Sequence, residues 1–532
     1  MVNKEERRWL IIAGVVILAV TGIPYLAGYF QQGTDWRFTG FLFGLEDGNS
    51  YIAKMLTGTY GSWLFRSPYS AMPQKGVLAF VPYILLGKLA FPPEAHDQLV
   101  VLFQLFRWVA GGILIWATYA FCSLFIENRK NRQLATLVIL LGGGLGWTSL
   151  LIYGANVGWG GSLEIYSPEA FGFLSILGLP HLAAARGLLL FGLIYFLRQN
   201  VEDMWKMDAI KGGFCWLAIG FFQPLTIVIG YGILGCYMVI RLLAAGKKEW
   251  KTILPLVYKA AVMAGISSPW VIYNFAFFNT DAYLKIWYQQ NIISSPPVLD
   301  YLLSFGLFFL LGLPALWHIF RTRKLEAAIL PAWVLCAVIL AYIPYNLQRR
   351  FIDGVWVVLV ILMFMAMPLI RNKWLRKLSS IAVGTTFIAP VLVMMIMSIG
   401  VIKPAEPVFR PVGEIKMYTA MEPMVNPGDI VLTGYKTGNV LPAWVPVRVV
   451  AGHGPETANL KTVLPDVQAF FSGERDVNWQ REFLKENNVS FIVSGPDDKK
   501  FGNWKADSDL KLETVYTNGS YQVYGVEHYY GK

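Results

Sequence analysis

The chain is poor in charge and in cysteine. Of its 532 residues only 15% are Asp, Glu, Lys or Arg, against about 25% in an average soluble domain. Its four cysteines, Cys122, Cys215, Cys236 and Cys336, all fall in apolar stretches. That excludes a disulfide framework and a zinc-ligand pattern, and leaves buried packing as their role. No Walker A, GxGxxG, HExxH or CxxC pattern carries a usable signal, so nucleotide-driven chemistry has no support. Internal repeats of fixed period and low-complexity tracts are also missing. What the chain has is apolar sequence: 55% hydrophobic and 15% aromatic residues, with a net charge of +11. The positive balance reflects Lys and Arg in short cytoplasmic loops, not nucleic-acid binding.

A membrane span needs roughly 20 apolar residues. Basic clusters at Lys4–Arg8, Arg129–Arg132, Arg198–Lys211, Lys247–Lys251, Arg321–Lys324 and Arg371–Lys377 fix the expected orientation. With all six inside, the N-terminus is cytoplasmic, residues 9–29 form an uncleaved first helix, and the path makes about eleven crossings. The stretch 77–91, short and carrying Pro82 and Lys88, is expected not to span. Gln223-Pro224 should divide 212–243 into two short helices. The fold class expected is thus an α-helical polytopic membrane protein over residues 1–402, with a long first exterior loop at 30–97. Residues 403–532 should form a small exterior α/β domain. Its prolines 404, 407, 411, 423 and 427 suggest a linker; strands are expected near 429–433, 445–450 and 489–493, a helix at 479–486, and a hairpin at Asn518-Gly519.

An acidic pair, Glu46-Asp47, stands in the first exterior loop within FGLEDGNSYIAKM. Carboxylates beside a bilayer are costly unless solvated, paired or used. Asp47 reads either as a helix cap or solvated acid, or as a base that takes the proton of an attacking hydroxyl. Glu46 would assist by orienting the acceptor or binding a metal. Arg349-Arg350 is the one basic pair that breaks the positive-inside pattern. It reads as an interface anchor or as a bidentate anion site. Arg186, inside a helix, is a further candidate expected to pair with Glu164, Glu169 or a lipid phosphate. His181, Glu169, Lys54, His453 and Glu456 are candidate substrate contacts; the last two lie in the turn AGHGPETANL, which ordinary loop chemistry also explains. Gly142-Gly143-Gly144 reads as close helix packing.

These segments resemble the GT-C class of integral-membrane glycosyltransferases, which includes protein O-mannosyltransferases and lipid A aminoarabinose transferases. The resemblance rests on EDGNSYIAKM, PEAFGFLSILGLPH, FFQP, QRRF, TGNVLPAW and GHGPET, and is greatest to bacterial members with a soluble C-terminal domain. It implies a catalytic base at Asp47, with Glu46 beside it, and a donor sugar on a polyprenyl phosphate. It further implies a leaving phosphate held by Arg349, Arg350 and Arg186, inversion at the sugar carbon, and a glycan, lipid or protein acceptor. Some members of the class use a divalent cation and others do not, so Mg2+ or Mn2+ at Glu46 and Asp47 stays open. The resemblance places the chain in the bacterial inner membrane with a periplasmic tail. A transporter or flippase of lipid-linked glycans is the alternative. It predicts repeated halves and midplane charges, neither of which the sequence displays.

Overall fold

The computed structural model describes residues 3–149, 162–198, 204–245, 250–502, 504–506, 510 and 512–526. Its contacts divide the chain into two units. One comprises Met1–Ile23, Phe106–Ala276 and Ile292–Ile396; the other comprises Pro24–Leu105, Phe277–Asn291 and Met397–Lys532.

The first unit is built of apolar helices. Across the described residues eight helices are long and apolar enough to cross a membrane, from Lys4–Gln31 to Lys373–Ile402. The chain is an integral membrane protein. Three of the eleven expected crossings have no helix of that length and apolarity among the described residues. The apolar helix Leu325–Leu340 is shorter, Met204–Phe222 carries Lys206, Asp208 and Lys211, and 134–155 runs partly outside the described residues. The break at Gln223-Pro224 is present, because Pro224 has no N–H to continue the ladder, but the helices it separates are not short: Met204–Phe222 has 19 residues and Leu225–Ala245 has 21. The glycine run 142–144 does serve close packing. A Cβ on Gly144 would lie 1.6 Å from the Ser304 carbonyl oxygen.

The second unit holds a five-stranded mixed sheet in the order Arg448–Val449, Ile430–Leu432, Val489–Ser494, Gln522–Val526, Leu512–Thr517. The first three strands are parallel and the last two form the antiparallel hairpin expected at Asn518-Gly519, where Gly519 takes φ 87°. The proline-rich start of the tail is not a loose linker. Phe409–Pro411 pairs with Trp36–Phe38, and the helix Val412–Met421 buries Met417, Tyr418 and Met421 in the core of this unit. Pro411 sits where a missing N–H costs nothing, just before the first turn of that helix, and Pro423 falls in the first turn of the 3-10 helix Glu422–Met424.

Much of the expected first loop is helical. Residues Leu45–Thr59 form a helix of 15 residues, and Val81–Gly87 packs against it. Side chains are excluded at that crossing: a Cβ on Gly58 would lie 2.1 Å from the Ile84 oxygen, and one on Gly87 would lie 1.7 Å from the Met55 oxygen. With seven residues, about 10 Å at the helical rise, Val81–Gly87 is far too short to span.

Candidate active site

The acidic pair opens the helix Leu45–Thr59. Gly44 supplies the N-cap in the left-handed region, at φ 59°, without a side-chain cap. Glu46 and Asp47 lie in the first turn, where unpaired backbone N–H groups and the helix dipole favour carboxylates. Asp47 is therefore not the capping residue. Helical spacing then places Ser50 and Lys54 below Asp47 at i+3 and i+7, on one face. Tyr435 donates its hydroxyl to Glu46 Oε2 at 3.1 Å. Asp47 keeps 54% of its side chain exposed, while its Oδ1 lies 3.2 Å from Nε2 of His453, which is only 5% exposed.

Behind this exposed carboxylate is a buried charge pair. Lys54 and Glu456 are both almost fully enclosed, and the Lys54 ammonium donates to Glu456 Oε1 at 2.6 Å. Ser50 donates to the same oxygen at 2.7 Å and Ser67 to Oε2 at 3.0 Å. Lys54 also donates to the Ser50 hydroxyl and sits 4.3 Å above the Phe80 ring. Burial alone would raise the Glu456 carboxyl; the charges of Lys54 and His453 and the hydrogen bonds from Lys54 and Ser50 outweigh it and hold the group below its ordinary range.

The AGHGPET turn is built to hold His453 and Glu456. The Thr457 hydroxyl accepts from the backbone N–H groups of Gly452 and His453, each at 3.2 Å. Tyr283 donates to the Glu456 carbonyl at 2.8 Å, and Gln290 donates to the carbonyls of Pro455 and Thr457. Backbone approaches backbone between this turn and TGNVLPAW: a Cβ on Gly452 would lie 2.3 Å from the Gly438 oxygen. Tyr69, wholly buried, donates to the Asn439 carbonyl at 3.0 Å and lies beside the His453 ring.

The remaining candidates lie in the other unit. Arg349 and Arg350 sit on the short 3-10 helix Gln348–Ile352, and both reach Glu169 through Nε, at 3.8 and 3.7 Å. Arg349 also lies over the Tyr166 ring at 5.0 Å. His181 is the second residue of the helix Pro180–Leu197 and is partly buried. Arg186 departs from expectation. Its side-chain partner is Asp353, at 2.6 Å from Nε, and its Nη2 donates to the carbonyls of Pro168 and Glu169 at 2.8 and 2.7 Å. It does not pair with the Glu164 or Glu169 carboxylates. Glu164 is instead enclosed by donors from Gly146, Ser162 and Ser304.

Sequence reasoning missed Asp353, Ser50, Ser67 and Tyr69. Ser50 had a usable signal, the i+3 and i+7 spacing from Asp47 to Lys54, hidden while the segment was treated as loop. For a cation, Glu46 and Asp47 turn toward Tyr435 and His453, and no three His, Cys, Asp or Glu side chains gather as ligands among the described residues. These residues do not by themselves make up a metal-ligand set.

No protein-family model matches the chain, and no curated protein does. Solved structures do. The oligosaccharyltransferase AglB of Archaeoglobus fulgidus, in complex with an inhibitory peptide and a dolichol-phosphate, matches with a TM-score of 0.53 at 12% identity, over 93% of this chain and 70% of its own. The Archaeoglobus fulgidus oligosaccharyltransferase complexed with Zn and sulfate matches at 0.51 and 13%, over 90% and 68%. ArnT from Cupriavidus metallidurans, bound to undecaprenyl phosphate, matches at 0.51 and 13%, over 97% and 98%. At these identities the likeness concerns the fold, and the chain has the fold of the GT-C class of integral-membrane glycosyltransferases.

Proposed function

We propose that the chain is a glycosyltransferase that moves a sugar from a polyprenyl-phosphate donor to an acceptor hydroxyl. The observation that carries this reading is Asp47: an exposed carboxylate on a helix N-terminus, backed by a buried frame of His453, Glu456 and Lys54. In the proposed step the acceptor oxygen attacks the anomeric carbon and its proton passes to Asp47. The bond from that carbon to the phosphate oxygen breaks, the electron pair leaves with polyprenyl phosphate, and the configuration inverts. Arg349 and Arg350 stabilise the charge that develops on the leaving phosphate. Arg186, engaged by Asp353 and two carbonyls, positions the segments at 168–169 and 353 and is set aside as a phosphate ligand. No step is routed through a cation.

The undecaprenyl phosphate of ArnT and the dolichol-phosphate of AglB support a polyprenyl donor. We place the membrane part at 1–402 in the bacterial inner membrane, with the N-terminus cytoplasmic and 403–532 periplasmic, from the distribution of Lys and Arg. The sugar is a hexose or a pentose, and the acceptor hydroxyl belongs to a glycan, lipid or protein.

Replacing both Arg349 and Arg350 by Ala tests the phosphate site. Each charged hydrogen bond contributes about 1.5–3 kcal/mol. Undecaprenyl phosphate binding to the protein in nanodiscs is expected to weaken by at least about tenfold. Unchanged affinity would remove the arginine pair from the reaction.

A further inference from the structure

We infer that Glu169 is a resident counter-ion that sets the charge of the phosphate site, so that the donor is held and the product is let go. The inference rests on the reading of Arg349 and Arg350 as that site. Both arginines turn Nε toward one carboxylate, Arg349 to Oε2 at 3.8 Å and Arg350 to Oε1 at 3.7 Å. Neither distance is a hydrogen bond, and both Nε atoms are buried without a hydrogen-bond partner. The side chains remain 20% and 30% exposed, whereas Glu169 is 6% exposed. The carboxylate lies behind the arginines and neutralises one of them without using up their donors.

Glu169 is held there by its neighbours. Ser167 donates to its Oε2 at 3.2 Å, and its carbonyl accepts from Arg186 at 2.7 Å and from Gly354 at 3.3 Å. Arg186 and Asp353 cancel each other's charge. The two arginines and Glu169 together therefore present a single net positive charge.

That charge suits the change in the ligand during transfer. A sugar linked to polyprenyl phosphate is a phosphodiester with one negative charge. Once the sugar leaves, the phosphate is a monoester carrying about 1.5 to 2 negative charges at neutral pH. A site with both arginines uncompensated would grip the monoester more strongly than the diester, and product would accumulate on it. Glu169 lowers the attraction for both ligands, and most for the one with the greater charge. It is a positioning and charge-setting residue for the two arginines, and its carboxylate has no part in the bond changes.

The test is binding of undecaprenyl phosphate and of its singly charged methyl diester to the full chain in phosphatidylcholine nanodiscs. Wild-type protein should bind the two with affinities within about threefold of each other, and Glu169→Gln should tighten the monoester by about tenfold and the diester by less. Glu169→Asp, which keeps the charge, should return the monoester toward the wild-type value. A Glu169→Gln protein that binds the monoester no more tightly than wild type overturns the inference. So does a wild-type preference of tenfold for the monoester, a measurement that needs no variant. Inorganic phosphate at the same concentration should compete weakly; full competition would overturn assignment of the site to a lipid-borne phosphate. The Arg349→Ala/Arg350→Ala protein separates the two levels of the argument. If it binds as wild type does, the phosphate site itself is wrong. If it binds weakly while Glu169→Gln is unchanged, only the counter-ion role fails.

Discussion

Asp47→Asn is expected to lower sugar transfer by about 10²–10⁴-fold, the usual worth of a positioned general base, while donor binding stays close to wild type. Asp47 stands at the start of the helix Leu45–Thr59 with half of its side chain open and its Oδ1 beside Nε2 of His453. Asn keeps the size and one acceptor oxygen but has no carboxylate to receive a proton. The effect should therefore fall on turnover, with the affinity for undecaprenyl phosphate, which reads the phosphate site, unaffected. A loss that appears equally in binding would place Asp47 in substrate recognition instead.

Lys54→Met is expected to destabilise the unit that holds Asp47 by about 3–5 kcal/mol, the usual cost of stranding one member of a buried ion pair. Glu456 would then be enclosed with Ser50 and Ser67 but without the ammonium. Combining Lys54→Met with Glu456→Gln should restore most of the loss, because no buried charge remains unpaired. The pH dependence gives a second reading of the same pair. In the wild type the Glu456 carboxyl is held below its ordinary 4.5. A depressed carboxyl binds fewer protons folded than unfolded, so its stabilisation is full above about pH 4.5 and is lost as the pH falls through the folded value. In Lys54→Met the charge and hydrogen bond of the ammonium are gone while burial remains, so the stability lost on acidification from pH 7 toward pH 4 should be smaller than in the wild type. Melting curves of both proteins across that range check the magnitude and the sign. A variant that melts with wild-type stability and pH profile would mean that the pair contributes nothing to this fold.

The parts of the fold that follow from one strong local signal were readable in the sequence. Pro224 broke its helix because a missing N–H cannot be supplied by neighbours, and Asn518-Gly519 turned its hairpin because Gly tolerates positive φ. The proline-rich start of the tail was harder. Its prolines resemble a linker until the pairing of Phe409–Pro411 with Trp36–Phe38 is known, and that pairing joins segments more than 370 residues apart. The site divides in the same way. Asp47 stood out by position, as part of an acidic pair in the expected first exterior loop. Lys54 and Glu456 were noticed singly, but their pairing depends on a contact 402 residues away in sequence. Asp353 gave no sign of its role, since a lone Asp after QRRFI reads as a loop acid until Arg186 is found against it.

The most direct test supplies the wild-type protein in proteoliposomes with labelled lipid-linked sugars extracted from bacterial membranes, alongside Asp47→Asn. The account predicts that wild-type protein releases free polyprenyl phosphate in proportion to sugar transferred, with the configuration at the anomeric carbon inverted. Asp47→Asn should release almost none. Labelled lipid-linked sugar that crosses the bilayer intact, with no polyprenyl phosphate released, would contradict a transferase and identify a transporter built on the same fold.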